Sequence, residues 1–465
     1  MKLINSSIIS AVLYEALKTG GDFSELYLED TEQNTLSVID GKVKDAGNQR
    51  KMGAGVRVLK GTRCAYAYCS SMNEASLLSA ARAAAAAFKG MREYETRAFS
   101  IERIGASCAK IPFSEINNQK RIELIRQGTA AAKAYSNEIS QVVVNYMDCT
   151  RRSWIYNSEG VQAEDHRPRT RLALQAVASS TSESQVGSLR PGYGMGFEAY
   201  AEKVDMEQIG RDSAEIAVTM LHAPECPSKN VPVVINGGFG GVILHESCVH
   251  ALESSSVGRG NSVFCNKLGQ KIASDIVTAV DDGTMPGEWG SMKYDDEGTP
   301  AQRNVLIENG VLKSYLVDKM GSRLMDHPVT GSARRQDYTY APVARMTNTF
   351  FAEGKDDENE MIASMPEGLF AARMGGGSVN PLTGSFNFIV SEGYWVRNGQ
   401  IVSPVRRATL IGKGADVLMK IDRIGRKMWM ETGVCSSISG SIPTNVGQPM
   451  IRVSEITVGG KGGEV

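Results

Sequence analysis

The six residues His245-Glu246-Ser247-Cys248-Val249-His250 place two of the chain's five histidines around a glutamate, between apolar flanks. Two imidazoles can hold a divalent metal, and a carboxylate beside them can take a proton from a water that the metal polarises. The order is that of the metal-binding pattern His-Glu-x-x-His with one residue added. That residue matters. On a regular helix, positions four apart differ by about 40° of rotation and positions five apart by about 140°. A metal shared by His245 and His250 therefore predicts a local widening, such as a π-bulge, that absorbs the extra residue.

Two histidines leave a catalytic zinc site one protein ligand short. Glu253, three residues after His250, suits either a ligand or a group that orients an imidazole. Cys248 lies inside the motif, but a helix would point it away from both histidines. Cys435 sits far along the chain in Gly433-Val434-Cys435-Ser436-Ser437, a small-residue segment suited to close approach. Spacing leaves all three open.

The elements around the motif are legible. Val233-Val234-Ile235-Asn236 reads as a buried strand, Gly237-Gly238-Phe239-Gly240-Gly241 as a tight turn, and Val242 to Glu253 as a helix. Before them come an amphipathic helix on Ile8, Val12 and Leu17, and strands at 26–30, 35–39, 56–59 and 65–68. Turns are expected at Asp40-Gly41 and Lys60-Gly61. Helices follow at 73–89 and at 114–135, the second capped by Ser114. Strands return at 142–147, 154–156 and 171–177, with a turn at Asn157-Ser158-Glu159-Gly160, and a helix from Asp205 to Leu221 closes this half. Ala223-Pro224-Glu225-Cys226-Pro227-Ser228-Lys229 is the best boundary. It divides the chain into an N-terminal mixed α/β domain (1–223), an antiparallel sheet with helices, and a mainly antiparallel β domain (224–465) carrying the motif helix, an α+β protein overall. Asn309-Gly310 and Asn398-Gly399 mark hairpins there. The acidic runs Asp281-Asp282-Gly283 and Asp295-Asp296-Glu297-Gly298 lack the twelve-residue calcium loop and read as solvated turns. Gly375-Gly376-Gly377-Ser378 lacks the Gly-Lys-Ser/Thr ending of a phosphate loop and reads as a turn that lets another backbone approach. Met428-Trp429-Met430 reads as core.

At 465 residues the chain can bury substantial cores. Its 51 basic and 52 acidic residues nearly balance, and no basic run appears, which argues against nucleic acid as a partner. Eight cysteines without paired spacing read as reduced thiols, mostly buried. Cys64 and Cys69 fall on opposite faces of one strand, so no disulfide is expected between them. No apolar block resembles a signal peptide or a membrane span, so the cytoplasm is the expected location.

The motif, together with Asp281-Asp282-Gly283-Thr284, Asp295 to Pro300, Arg345-Met346-Thr347-Asn348-Thr349 and Gly447-Gln448-Pro449, resembles the TldD/PmbA family, called modulators of DNA gyrase. The likeness covers essentially the whole chain and is closest to the TldD branch; the TldE or PmbA branch lacks the metal motif. The resemblance implies a zinc metallopeptidase of HExxxH type acting on unfolded or short peptides, including peptide-antibiotic precursors and antitoxins. Its ligands would be His245, His250 and Cys435, and its base Glu246. It also implies a dimer, either of two copies or with a motif-less TldE/PmbA-like subunit, enclosing a site that extended peptides enter. The chain departs from the family at Cys248 and in the serine-rich segment from Ser436, which bears on substrate preference. A thiolate ligand donates more charge than a carboxylate, so slow turnover is expected. Peptide binding by strand addition would tolerate many sequences. The rival reading is a catalytically silent assembly module with a structural metal, which would have no use for Glu246.

Overall fold

The structure, a computed structural model, describes residues 4–90, 98–105, 108–380 and 383–462. It is an α+β protein, with antiparallel sheet in the first part and mostly β structure in the second.

Helix α1 (Ser6–Leu17) leads into two very long strands, β1 (Phe23–Ile39) and β2 (Lys42–Lys60), followed by β3 (Arg63–Cys69) and α2 (Glu74–Ala85). The short strands expected at 26–30, 35–39 and 56–59 are the apolar ends of one continuous hairpin. Polar residues such as Glu32, Gln33 and Asn34 interrupt the hydrophobic alternation, while the ladder runs on through Asn34 opposite Asn48. At the hairpin tip Asp40 and Gly41 have φ of 49° and 75°, the two positive values that a tight two-residue turn needs. After α3 (Asn118–Tyr135), β4 (Ile139–Asn157) and β5 (Val161–Ser179) repeat the pattern, and α4 (Met206–His222) closes the half. The sheet order is β3-β2-β1-β4-β5, with three shorter strands paired to β5. Helices α1 and α2 bury Val12, Leu13, Leu77 and Ala81 against Leu26, Leu28, Val56 and Val58. Helices α3 and α4 cover the other end through Ile125, Ala132, Ala214 and Ala217. Helix α3 starts later than expected because Asn117, not Ser114, accepts from the Lys120 N–H at 3.0 Å. Ser114 lies in a separate 3-10 turn.

The second half begins with β6 (Lys229–Ile235) and the site helix α5 (Val242–Ser247), followed by β7 (Ala279–Asp282), β8 (Arg303–Glu308) and β9 (Asn348–Phe351). It continues with β10 (Glu367–Val379), β11 (Ser385–Arg397), β12 (Ala408–Lys413), β13 (Trp429–Ser437), β14 (Gly440–Gln448) and β15 (Ile451–Gly459). Strands β10-β6-β15-β12-β11 form a ring, closed where β11 pairs back to β10. A second sheet runs β8-β7-β9-β14-β13, with β13 as its outer strand. Both Asn-Gly hairpin tips hold two positive φ values, 50° and 79° at Asn309-Gly310 and 50° and 73° at Asn398-Gly399.

Four local expectations are corrected. The triple-glycine segment is not a turn: it lies within β10, where the register against β11 slips between Met374 and Gly377. Trp429 is half exposed, with the Lys427 ammonium over its ring at 4.3 Å, so it is not core. Of the eight free thiols, those of Cys226, Cys248 and Cys435 are buried and the others reach the surface to varying degrees. The acidic runs, finally, are buried rather than solvated. Asp281 accepts from the Thr347 N–H and from the Thr347 and Thr349 hydroxyls at 2.7–2.8 Å.

The second acidic run ties the two halves together. Arg57 on β2 bridges Glu25 on β1 at 2.7 Å and Glu297 at 2.6 Å. Arg335 reaches Glu25 at 2.8 Å, lies over the Tyr27 ring at 4.0 Å and donates its backbone N–H to Asp296 at 2.8 Å. Arg167 on β5 holds Asp296 from the other side at 2.8 Å. Burial works to raise the Asp296 carboxyl, but Arg167, Arg151 and Arg335 outweigh it and hold the group at about 2. Each charge is out of water yet paired, the condition under which buried ions are tolerated.

Candidate metal centre

The end of strand β6, Val233 to Ile235, is buried on both faces, and the strand is paired on both sides within the closed ring, so its end is fixed. The chain leaves it through Gly238, whose φ of 80° and ψ of −122° favour glycine. A side chain at Gly241 would collide with the backbone of Gly447, so glycine here lets the start of α5 sit directly on β14. Helix α5 buries Val242, Ile243 and Leu244 and presents His245 inward.

The expected helix from 242 to 253 is broken. Cys248 donates its N–H to the Leu244 carbonyl at 3.1 Å, then turns out of the helix with φ −132° and ψ −59°. Residues Val249–Leu252 continue as a 3-10 turn. This break, not the anticipated π-bulge, absorbs the extra residue, and it swings His250 back toward His245. The two rings meet edge-on with centroids 4.8 Å apart.

Cys435 arrives from β13, opposite Ile442 on β14. Its Sγ lies 3.2 Å from His245 Nε2 and 3.2 Å from His250 Nε2. The three donor atoms all fall within 4.8 Å of one another, the one such His/Cys/Asp/Glu group among the described residues. A tetrahedral cation with Zn–S of about 2.3 Å and Zn–N of about 2.0–2.1 Å would set S···N separations of about 3.5 Å. Both observed separations are close to that, and the soft thiolate with two imidazoles is a donor set suited to zinc. The residues fit a metal.

The other two candidates separate cleanly. Cys248 is fully buried in the core, and burial pushes its thiol up to about 12. Glu253 places Oε1 3.2 Å from His250 Nδ1, on the far side of the ring from Cys435, as a carboxylate that orients an imidazole does. Glu246 stands beside the donor atoms, Oε1 4.0 Å from His245 Nε2 and Oε2 3.9 Å from His250 Nε2. Its side chain is 27 % exposed, so the carboxylate looks toward the open side of the centre.

Arg345 heads a run that carried the family likeness, but spacing and residue type did not reveal its role. Its side chain is fully buried and donates to the Cys435 carbonyl at 2.7 Å, to Ser439 Oγ at 3.1 Å and to the Gly440 carbonyl at 3.1 Å. Its Nε also lies 3.8 Å from Glu253 Oε1. One guanidinium thus holds the thiol-bearing strand by hydrogen bonds and stands within ion-pair distance of the carboxylate behind His250. A charged residue followed by Met-Thr-Asn-Thr in a buried segment was the available signal.

The electrostatics divide the histidines. Burial, aided by His250 and Arg345, drives the His245 pKa well below its usual value and keeps the ring neutral. Burial also opposes charge on His250, but Glu253 and Cys435 overcome it and raise that pKa well above the usual value. A metal taken up by these donors would then displace a proton from His250. The expected result is proton release near neutral pH and an affinity that rises with pH until His250 deprotonates unaided. Titration calorimetry with Zn²⁺ in buffers of different ionisation enthalpy checks this; heats independent of the buffer would contradict it.

Comparison with known proteins follows the same outline. Three family models match, the PmbA/TldA metallopeptidase domain 1 over residues 24–88, the central domain over 111–221 and the C-terminal domain over 228–460. The Metalloprotease TldD homolog of Haemophilus influenzae is 34 % identical over 452 residues, spanning 94 % of this chain and 93 % of the relative. A metalloprotease of Methanothermobacter thermautotrophicus is 30 % identical over 460 residues, spanning 98 % and 99 %. Among solved structures, a protein named as a modulator of a DNA gyrase from Thermotoga maritima superposes with a TM-score of 0.79 at 21 % identity, covering 97 % of this chain and 99 % of that one. TldE from Thermococcus kodakarensis gives 0.77 at 17 % identity, with the same coverage. These two likenesses establish the fold.

Proposed function

This chain belongs to the PmbA/TldD metallopeptidase family, and from that premise we propose that it is a zinc-dependent peptidase of HExxxH type that hydrolyses unfolded or short peptides, with His245, His250 and Cys435 as ligands and Glu246 as general base. The observation that carries the reading is the convergence of a thiol and two imidazoles, from segments far apart in the chain, beside a half-buried carboxylate 3.9–4.0 Å from both imidazoles.

A cation held by His245, His250 and Cys435 would supply Lewis acidity for a peptide carbonyl and make a neighbouring water more acidic. Everything else is done by side chains. Glu246 takes a proton from that water and hands it to the leaving amine. Burial, with the charge of Glu253 adding and His250 and Arg345 opposing, raises the Glu246 carboxyl above its ordinary range. A less acidic carboxyl is a stronger base once ionised and a better carrier for the second transfer. Glu253 holds the His250 ring, and Arg345 holds Glu253 and the Cys435 strand, so the donors are positioned before a metal arrives.

Free thiols support a reducing compartment, the cytoplasm, and no helix among the described residues is long and apolar enough to cross a membrane. Extended peptides suit a centre beside the outer strand β13. The working unit would be a dimer, of two copies or with a motif-less sister subunit of the TldE type, whose fold this chain shares.

The test is metal content and peptide cleavage measured together. Wild-type protein is expected to hold one zinc per chain and to lose cleavage of an unstructured peptide on chelation. Cys435→Ala is expected to lower zinc affinity by at least about 10- to 100-fold, since even groups behind the ligands cost that much. Unchanged zinc affinity in the variant would remove Cys435 from the site and with it this reading.

A further inference from the structure

Strand β5 carries an arginine at every second position on one face, Arg167, Arg169 and Arg171. The first two are committed. Arg167 pairs with Asp165 and Asp296, and Arg169 donates to the carbonyls of Trp289 and Ser291 at 2.9 and 3.0 Å. Arg171 has one long contact, Nη2 to the Thr432 carbonyl at 3.5 Å, and its Nε is buried without a partner. Beside it stands Arg190, whose side chain meets Ser188 Oγ at 3.3 Å. Among the described residues, no carboxylate lies within 4 Å of either guanidinium. Burial, and then the charge of Arg190, lowers the Arg171 pKa to about 10.

Both arginines line an open pocket of about 470 Å³ on the sheet face, with Ser37, Asn145 and one acidic residue, Asp45. The lining itself carries two positive charges against one negative, and although Glu431 outside it also feels Arg190, both guanidinium forks remain open to a carboxylate. At Met147 the pocket meets another of about 300 Å³ that reaches Val434, the neighbour of Cys435. With Met147 common to both linings, the two pockets lie side by side along a path from the arginines to the back of the strand that carries the thiol.

Position along β13 gives this path a scale. Thr432 marks the arginine end: its Oγ1 donates to the Arg190 carbonyl at 2.6 Å, and its own carbonyl faces Arg171. It is three residues from Cys435, about 10 Å of extended chain. An odd separation puts the two positions on opposite faces of the strand. Cys435 looks to the histidines, and Val434 lines the path behind it. A peptide lying extended beside β13 alternates in the same way. With one residue at the metal centre, the residue level with Thr432 directs its side chain toward the arginines.

We infer that the Arg171–Arg190 pocket is a specificity subsite that receives a carboxylate of the substrate, three residues along an extended peptide from the bond that is cut. This rests on the peptidase reading above. The planar guanidinium fork matches a carboxylate's two oxygens, and the carboxylate can come from a Glu or Asp side chain or from a free C-terminus.

The test uses the full-length zinc-loaded chain and unstructured ten-residue peptides. A single Glu is moved through an otherwise uncharged sequence and compared with Gln at each place, and each peptide is made with a free and with an amidated C-terminus. Cleavage sites are read by mass spectrometry together with kcat/KM. The expected result is at least a tenfold preference for the bond three residues from a carboxylate. The Glu scan reports the side-chain source, and amidation reports the terminal one. In Arg171→Gln and Arg190→Gln the carboxylate-to-neutral ratio is expected to fall toward one. Equal cleavage of charged and neutral peptides by the unaltered chain, which needs no variant to fold, would overturn the inference, as would a preference that survives both substitutions. Fluorescence anisotropy of the same peptides on Glu246→Gln separates the two failures. Carboxylate-selective binding without cleavage by the wild type would keep the pocket and sink the peptidase reading; cleavage without selectivity would do the reverse.

Discussion

Glu246→Gln is expected to lower peptide cleavage by about 10²- to 10⁴-fold while zinc stays bound. The substitution keeps the shape of the side chain and removes its ability to accept a proton. Neither Glu246 oxygen is closer than 3.9 Å to an imidazole nitrogen, so the donor atoms keep their arrangement. Loss of turnover with full metal content isolates the proton transfer from the binding of the ion. The pH profile gives a second check. Because burial and Glu253 raise the Glu246 carboxyl, the acid limb of kcat/KM should lie above the ordinary range of a glutamate, with activity rising as that group ionises. Undiminished cleavage by the glutamine variant would assign the base to another group.

Arg335→Met is expected to destabilise the folded chain by about 3–5 kcal/mol, the usual consequence of removing one partner from a buried ionic network. The guanidinium serves Glu25, the Asp296 carbonyl and the Tyr27 ring at once, and all of these are buried. Methionine fills much of the volume and satisfies none of the charge, leaving Glu25 to Arg57 alone and Asp296 short of one cation. Equilibrium urea unfolding followed by tryptophan fluorescence measures the change. A loss below about 1 kcal/mol would mean that the network is solvated or redundant. The same clamp has a pH signature. Asp296 sits at about 2, below its usual 3.8, so its contribution is complete above about pH 4 and is lost as the pH falls toward 2.

What could be read from the sequence was local. Asn-Gly and Asp-Gly pairs announced their hairpins because positive φ is a property of the residue itself. Asp205 announced the start of α4 because its side chain caps the Gln208 N–H. The His-Glu cluster stood out as a candidate metal-binding pair for the same reason. Strand length was not, because the polar centres of β1 and β2 carry no burial signal, although their backbones pair throughout. The break at Cys248 was also hidden: no glycine or proline marks it, and the residue is a core side chain whose surroundings, not its own preference, set its backbone. The acidic run at 295–297 was read as wet because its partners are distant, with Arg167 129 residues from Asp296. Buried charge is a statement about pairs, and one member gives no hint of the other.

His245 and Cys435 stand 190 residues apart in sequence, yet share one cluster. A ribosome must therefore extend the chain 190 residues past His245 before the donor set can be complete. Throughout translation the nascent product cannot assemble the cluster, so it carries no working blade against itself or its neighbours. Any nick that frees the stretch bearing the thiol disarms the molecule in the same way.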